Sequence, residues 1–201
     1  MLFQPWPSNR ARYRSRSVMS TNSTPFRIFL AVLFFTLALL TFASVLKLRL
    51  GVDAQVRQCL PFTLYINHLT PPDQIKRGQL LGFVAHGEVG HGFDGKLMTK
   101  MVAAIPGDTI TIKQDQLYVN GIKVDRPMDL IVKLHKKPGA FDRTEIVPPG
   151  HVFFIGTEPH SFDSRYWGFI TFPEIVAQAT PVPGFGPDQE KFVHETLGPL
   201  L

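Results

Sequence analysis

Four polar residues crowd into one short loop near residue 160 and form the first candidate for chemistry. The apolar run Val152–Ile155 predicts a buried strand that ends at Gly156, and Tyr166–Ile170 predicts a second strand. Between them lie Ser161, Asp163, Ser164 and Arg165. Because a buried polar group without a partner costs about 1–3 kcal/mol, these side chains must pair with one another or serve a reaction. An Asp163–Arg165 ion pair that only fastens a turn is the simpler alternative.

A lysine stands at the head of a second apolar strand. Lys100 begins the predicted segment Lys100–Ile105, and the turn Pro106-Gly107-Asp108 closes that segment. An uncharged amine can take a proton from a nucleophile and act as a general base. A free ammonium group has a pKa of about 10.4, so a lysine base must be buried among apolar side chains. Taken alone, Lys100 fits an ordinary exposed lysine equally well.

The chain contains a single cysteine, Cys59. One cysteine cannot form an internal disulfide, and outside the cytoplasm an unpaired thiol is a candidate for reactivity. The alternative is a small buried side chain that serves packing only. No serine occurs between Ser44 and Ser161, so no hydroxyl of that kind lies near Cys59 in the sequence.

Together, Lys100–Asp108 and Gly156–Gly168 resemble the type I signal peptidase family of Ser/Lys proteases. The motif Ser-x-Asp-Ser-Arg-Tyr-Trp-Gly, at Ser161–Gly168, carries most of the resemblance, and the match covers residues 55–172 in the expected order. Within the family the chain is most similar to the TraF-type branch, which processes pilin precursors for plasmid conjugation. The resemblance implies a β architecture of coiled antiparallel sheets.

The resemblance also implies a role for each residue of the site. Leu60–Tyr65 is similar to the stretch that follows the nucleophile in TraF-like members, which places Cys59 where the family has serine. The expected nucleophile is therefore Cys59, with its backbone N–H as an oxyanion donor. Lys100 is the expected general base, and Ser161 orients it by a hydrogen bond. Structural support is expected from five further residues: Asp163, Arg165, Pro106, Gly107 and Asp108.

Three positions depart from the family pattern. Cellular signal peptidases have a small hydroxylated residue two positions before the nucleophile, and here that residue is Arg57. The basic residue that commonly follows the lysine is Met101, and the usual Arg-Gly-Asp reads Arg77-Gly78-Gln79. The Cys59 N–H is thus the one oxyanion donor that the sequence predicts.

The net charge of +5 belongs to the N-terminal tail. Residues 1–27 are predicted to be a disordered basic tail with five arginines: Arg10, Arg12, Arg14, Arg16 and Arg27. Without them the chain carries sixteen basic and sixteen acidic residues. The globular part is therefore neutral, and we expect no nucleic-acid partner.

Residues 28–46 are nineteen consecutive uncharged residues. As a helix they would extend roughly 28 Å, about the thickness of the hydrocarbon core of a bilayer. The prediction is an uncleaved transmembrane anchor; a cleaved signal peptide is the alternative, but its apolar region is usually shorter. The arginines before the helix predict a cytoplasmic N-terminus, with everything after Leu46 outside.

Residues 47–178 predict an extracytoplasmic peptidase domain. Residues 47–56 are predicted to be a polar connector, and Asn120-Gly121 is a strong hairpin signal. Many short strands with Gly and Pro turns favour a mainly β fold, either coiled antiparallel sheets or a partly open barrel. Residues 179–201 are rich in Pro and Gly and predict a poorly ordered C-terminal extension. The expected strands are Phe62–Ile66, Leu80–Val84, Leu97–Ile105, Thr109–Ile112, Leu117–Val119 and Ile122–Val124.

The segment His86–Gly92 contains two histidines and a glutamate among glycines. The glycines oppose the helical His-Glu-x-x-His pattern of zinc proteases, so a surface loop is the better interpretation. We expect neither a metal nor another cofactor.

These observations predict an endopeptidase anchored in the bacterial inner membrane, with its catalytic domain in the periplasm. The expected substrate is an exported precursor of the pilin type, which TraF-like relatives can also join into a ring. Other conjugation or type IV secretion components are possible partners. A general signal peptidase and a catalytically inactive assembly subunit remain the two alternatives.

Overall fold

The computed structural model describes residues 24–53, 58–89, 92–126, 128–158 and 160–201. Within these ranges the chain forms three α-helices: α1 (Thr24–Val45), α2 (Ser164–Trp167) and α3 (Gln189–Leu197). Eleven strands alternate with them: β1 (Leu48–Val52), β2 (Leu64–His68), β3 (Leu80–Val84), β4 (Leu97–Ala104), β5 (Thr109–Lys113), β6 (Gln116–Val119), β7 (Ile122–Val124), β8 (Arg143–Ile146), β9 (His151–Ile155), β10 (Ile170–Thr171) and β11 (Ile175–Pro181). Short 3₁₀ helices occur at Gly87–Val89, Phe172–Glu174 and Gly198–Leu200.

The apolar helix α1 contains 22 residues, its most apolar 18-residue stretch has a mean hydropathy of 2.6, and none of its residues is buried. It is the one helix in the described part of the chain that is long and apolar enough to cross a membrane. The helix begins four residues before the predicted anchor, because Thr24-Pro25-Phe26-Arg27 already belongs to it. Most of the predicted basic tail, its first 23 residues, lies outside the described ranges, as does Arg57.

The strands form two antiparallel sheets that are not closed into a barrel. Seven strands follow the order β1-β2-β11-β3-β4-β9-β10, and four follow the order β7-β6-β5-β8. Every strand pair is antiparallel. The prediction of a mainly β fold built from coiled antiparallel sheets is confirmed.

β4 lies near the middle of the larger sheet and is buried from Lys100 to its last residue. Two apolar clusters explain this burial. One contains Met101 and Ala103 of β4 together with residues of the smaller sheet and of α3, and the other contains Val102. A lysine on this strand is therefore held among apolar side chains rather than in solvent.

Two predictions are wrong, one for a tertiary reason and one for a local reason. Residues 48–52 are a strand instead of a polar connector, because they pair with β2 in the register Leu48↔His68. Tyr166 and Trp167 end a helical turn instead of starting a strand, because the Asp163 side chain caps that turn by accepting the Arg165 N–H. The strand that follows is only Ile170–Thr171.

The C-terminal residues 179–201 also differ from the prediction of a poorly ordered extension. Their first residues complete β11, which pairs with β2 on one side and β3 on the other. α3 then packs Phe192 and Leu197 into the main core cluster. Local Pro and Gly content suggested a loose tail, whereas burial of these two apolar side chains fixes it.

Candidate active site

The structure brings Lys100 and Ser161 together. Lys100 is 1% exposed on β4, between Leu81 of β3 and the β9 strand. Its Nζ donates a hydrogen bond of 2.9 Å to the Oγ of Ser161, which is fully buried. The polar loop predicted from residue 160 therefore meets the predicted lysine strand at this contact.

Cys59 is half-buried and is held to the same loop through its main chain. Its carbonyl accepts hydrogen bonds from the N–H groups of Thr157 at 2.9 Å and Glu158 at 3.3 Å. Among the described residues, none accepts the N–H of Cys59, so this donor is available to a ligand. Cys59 and Lys100 line one cavity of about 480 Å³.

Gly156 makes the close approach of these parts possible. A Cβ added at this residue would lie 2.5 Å from the Cys59 carbonyl oxygen and would collide with Oγ of Ser161. The backbone of Gly156 therefore occupies the narrow space between the cysteine and the serine. The sequence marked Gly156 as the end of a strand and as the first residue of the stretch that resembles the family; its role in spacing depends on contacts between distant segments.

The Asp163–Arg165 pair is completely buried behind this loop. Arg165 Nε donates to Oδ1 of Asp163 at 2.8 Å, and its terminal nitrogen donates to Oδ2 at 2.7 Å. Burial alone would raise the pKa of the Asp163 carboxyl, but the charge and hydrogen bonds of Arg165 hold it below its ordinary value, with smaller help from Lys100. The same carboxylate accepts the Gly156 N–H at 2.9 Å, so the ion pair fixes the loop backbone.

The turn after β4 is fixed by a second carboxylate. Oδ2 of Asp108 accepts the Ile105 N–H at 2.9 Å and the Arg77 Nε–H at 3.0 Å. Gly107, next to it, has a φ of 91°, which favours glycine. Pro106 lies in the same turn. Burial opposes ionisation of Asp108, but its bonds to Arg77, Ile105 and Asn120 lower the pKa of the carboxyl below the ordinary value.

Several residues of the site were not selected from the sequence. Tyr65 and Asn67, on the inner face of β2, line the cavity with Cys59. Burial, followed by the negative charges of Asp53 and of a Cys59 thiolate, raises the pKa of Tyr65 above its ordinary value. Arg143 donates to the carbonyls of Ser164 and Arg165, both at 2.9 Å, and so fastens the polar loop from the other sheet. Alternation along β2 was the available signal for Tyr65 and Asn67.

The segment around His86 forms a short 3₁₀ helix at Gly87–Val89, and Val89 is buried in the second core cluster. In the ranges that the structure describes, no group of three or more His, Cys, Asp or Glu side chains is placed to hold a metal ion. His91 lies outside these ranges.

A thiol and a buried amine that line one cavity are suited to nucleophilic attack on a carbonyl. The amine can take the thiol proton, the Ser161 hydroxyl fixes the amine, and the Cys59 N–H can donate to a developing oxyanion. The buried ion pair is suited to holding this loop in place rather than to proton transfer.

Comparison with known proteins points to the same family of enzymes. The model of the family described as signal peptidase, peptidase S26, matches residues 20–182. Signal peptidase I of Bacillus caldolyticus is 39% identical over 89 residues, which cover 39% of this chain and 49% of that protein. Signal peptidase I V of Bacillus subtilis is 38% identical over 95 residues, which cover 42% of this chain and 56% of that protein. The chain spans about half the length of these curated relatives.

A crystal structure of a signal peptidase I from Enterococcus faecalis aligns with 54% of this chain and 98% of its own, at 24% identity and a TM-score of 0.37. The family match, by contrast, covers most of the chain and includes every residue of the candidate site. The chain therefore belongs to the signal peptidase family, peptidase S26.

Proposed function

We propose that the protein is a membrane-anchored endopeptidase of the signal peptidase type that uses Cys59 as nucleophile and Lys100 as general base. The buried Lys100–Ser161 hydrogen bond, together with the cavity that Lys100 and Cys59 both line, carries this proposal. Family membership supports the reaction class, and the apolar helix α1 supports an anchor.

The reaction follows from these groups. Lys100 takes the proton of the Cys59 thiol as Sγ attacks the scissile carbonyl carbon of the precursor, and the Cys59 N–H donates to the resulting oxyanion. Lys100 then gives that proton to the leaving amine, which departs and leaves a thioester. A water molecule, deprotonated by Lys100, attacks the thioester; the carboxylate product leaves and the thiol is restored.

Ser161 acts here as a positioning residue. Its hydroxyl accepts from Lys100 Nζ, which points the amine and fixes one of its hydrogens. Asp163 and Arg165 act one step further away, because they hold the backbone of Gly156 and the helical turn that follows. We therefore expect substitutions of Cys59 and Lys100 to cause the largest losses of cleavage activity, and substitutions of Ser161 to cause smaller ones.

The decisive experiment compares Cys59→Ala with Cys59→Ser in the full chain. A signal peptide–reporter precursor with alanine at the first and third positions before the cut serves as substrate. We expect Cys59→Ala to lower cleavage by about 10³-fold or more, and Cys59→Ser to keep partial activity. Normal cleavage by Cys59→Ala would remove Cys59 from the mechanism and favour the inactive assembly subunit.

Alkylation gives an independent test of the same thiol. Because Cys59 is the only cysteine, a single added alkyl group in the mass spectrum reports its modification. Inactivation should follow the extent of labelling and should become faster as the pH rises, because the thiolate is the reactive form. A fully labelled protein that still cleaves the precursor would contradict the proposal.

A narrower substrate is the second part of the proposal: an exported pilin-like precursor, cut and then joined end to end. The resemblance of Leu60–Tyr65 to TraF-like members favours it. A thioester suits such joining, because an amine can replace water as the attacking group. Mass spectrometry of the mature substrate distinguishes a ring, which has lost one water, from a linear product.

The general signal peptidase remains the competing proposal, and the names of the curated relatives favour it. Expression in bacteria depleted of their own signal peptidase separates the two proposals. Restored growth requires broad specificity and supports the general enzyme. Failure to restore growth, combined with cleavage of a pilin precursor, supports the narrow one and a place beside type IV secretion components in the inner membrane.

A further inference from the structure

The side chain of Asn67 lacks a hydrogen-bond partner although it is only 5% exposed. It lines the same cavity as Cys59 and Lys100. Its Oδ1 is buried and unsatisfied, and within the described ranges the amide makes no hydrogen bond. Buried amides in folded proteins are nearly always paired, so an exception on a cavity wall indicates a partner supplied by a ligand.

The neighbouring strands leave room for this amide. Gly51 of β1 lies beside it, and a Cβ at Gly51 would collide with Nδ2 of Asn67. The residue aligned with Asn67 on its other side is Ala179 of β11, which is also small. A rotation about the Cβ–Cγ bond, a torsion that is broad for asparagine, exchanges the positions of the amide oxygen and nitrogen.

The spacing between Tyr65 and Asn67 matches the repeat of an extended peptide. Tyr65 and Asn67 are successive inward residues of β2, and both line the cavity with Cys59. One such step along a strand is about 7 Å, which is also the distance between alternate residues of an extended ligand. Tyr65 and Asn67 can therefore face alternate residues of one extended ligand.

We propose that Asn67 clamps the main chain of the precursor by pairing with one of its peptide groups. A carboxamide offers one donor and one acceptor side by side, which complements the N–H and C=O of an extended chain. Main-chain recognition fits a peptidase that must accept many side chains at this position. The inference rests on the proposed function in one respect, that the ligand of the cavity is a polypeptide.

Amide-to-ester substitution tests the clamp through binding, without any need for cleavage. The probe is a synthetic peptide that spans a signal-peptide cleavage region, with each backbone N–H replaced in turn by an ester oxygen. Binding is measured to the full chain in detergent, carrying Cys59→Ala, with and without Asn67→Leu. We expect the ester at one position to bind roughly tenfold more weakly to the Cys59→Ala chain, and to bind like the amide once Asn67→Leu is present.

Two further variants separate a clamp from a structural role. Gly51→Ala should displace the amide and reproduce the effect of Asn67→Leu, and the two changes together should cost little more than either alone. His68→Gln, on the exposed face of β2, is the matched control and should keep the full ester effect. Asn67→Leu should leave the thermal midpoint equal or higher, since it removes an unpaired buried amide.

The clamp would be overturned by equal binding of every ester to the Cys59→Ala chain, by an ester effect that persists in Asn67→Leu, or by no peptide binding at all. Cleavage by the chain with Cys59 intact is measured in parallel. A position-specific ester effect without any cleavage would refute the proposed peptidase mechanism and leave the clamp standing.

Discussion

A hydrogen bond from Lys100 to Ser161 joins the lysine to the polar loop. Two substitutions of Lys100 can separate its role as a base from the effect of its positive charge. Lys100→Met keeps the length of the side chain but cannot accept a proton, and should lower precursor cleavage by about 10²–10⁴-fold. Lys100→Arg should fail as well, because a guanidinium does not deprotonate in a protein. Normal cleavage by the arginine variant would show that Lys100 is a charge anchor.

Ser161→Ala leaves the base in place and removes its hydrogen-bond acceptor. We expect a loss of activity smaller than that of Lys100→Met, and a shift in the pH dependence of kcat/KM, because the environment of the amine changes. Ser161→Thr, which restores a hydroxyl, should recover part of the rate if the larger side chain is accommodated. An unchanged pH profile in Ser161→Ala would contradict the positioning role.

The buried Asp163 carboxylate predicts a specific dependence of stability on pH. Its pKa is lower in the folded protein than in the unfolded chain, so its ionised form stabilises the fold above about pH 3.9, the unfolded value. That contribution disappears as the pH falls through the folded-state pKa. Asp163→Asn should lower the free energy of unfolding by about 3–5 kcal/mol near neutral pH, because it leaves Arg165 buried without its counter-charge.

Urea unfolding of the detergent-solubilised chain, from about pH 6 to about pH 2, measures this difference. The difference in the free energy of unfolding between the parent protein and Asp163→Asn should become smaller toward about pH 2. Asp125→Asn is the matched control, because Asp125 pairs with Lys123 at an exposed position. A gap that stays constant with pH would mean that Asp163 acts through shape alone.

Among the elements of the fold, the loop that begins at Gly156 packs tightly against the main chain of Cys59. Gly156→Ala should therefore displace either the Cys59 carbonyl or the Ser161 hydroxyl, and lower cleavage more than it lowers the thermal midpoint. Gly87→Ala is the matched control, since a Cβ at Gly87 meets no atom within 4 Å and its φ is not positive. Full activity in Gly156→Ala would show that the loop can move away without consequence.

The C-terminal residues 182–201 contact the residues that follow Cys59. Phe185 accepts the Thr63 N–H through its carbonyl at 2.9 Å, and the ring of Phe192 packs edge-on against Phe62 at 5.1 Å between centroids. Phe192→Ala should destabilise the protein by about 3–5 kcal/mol, as measured by urea unfolding. Phe185→Ala, whose ring is half exposed, should cost far less; equal costs would contradict the assigned packing.

The elements that could be predicted from the sequence are those with a strong local pattern of apolar and turn-forming residues. β3 and β7 begin and end at the predicted residues, and the Asn120-Gly121 turn joins β6 to β7. β1 was missed although Leu48, Leu50 and Val52 alternate with Arg49 and Gly51, because what makes this short stretch a strand is its pairing with β2. α3 was missed because its burial depends on a distant partner, Phe62, which no local window contains.

The residues of the candidate site likewise fall into those that the sequence predicted and those that only the structure identifies. Lys100, Ser161 and the Asp163–Arg165 pair stand in motifs, and the sequence placed them together through family resemblance. Gly51, Asn67 and Gly156 matter because of what lies across from them, and such contacts follow from strand register rather than from sequence. A motif does not show that close packing requires glycine at Gly51 and Gly156, nor that the Asn67 side chain has no hydrogen-bond partner among the described residues.

For the whole molecule, the orientation in the membrane is the outstanding prediction. The arginines before α1 predict a cytoplasmic N-terminus and an outer catalytic domain. A protease added to intact spheroplasts should digest the residues after α1 and leave an N-terminal epitope protected. Protection of the C-terminal domain would reverse both the orientation and the compartment.

The position of β11 also bears on how the protein is made. In the larger sheet, as the described residues show it, β11 joins the β1–β2 hairpin, beside Cys59, to β3, which in turn pairs with the strand that carries Lys100. A ribosome must therefore synthesise residues 175–181 before the two halves of the site can be joined in one sheet. Until then the nascent chain already contains the thiol, the amine and the serine hydroxyl, but lacks the strand that pairs with both β2 and β3. We expect chains arrested before β11 to be latent, which would spare both the emerging protein and its neighbours in the export pathway from premature cutting.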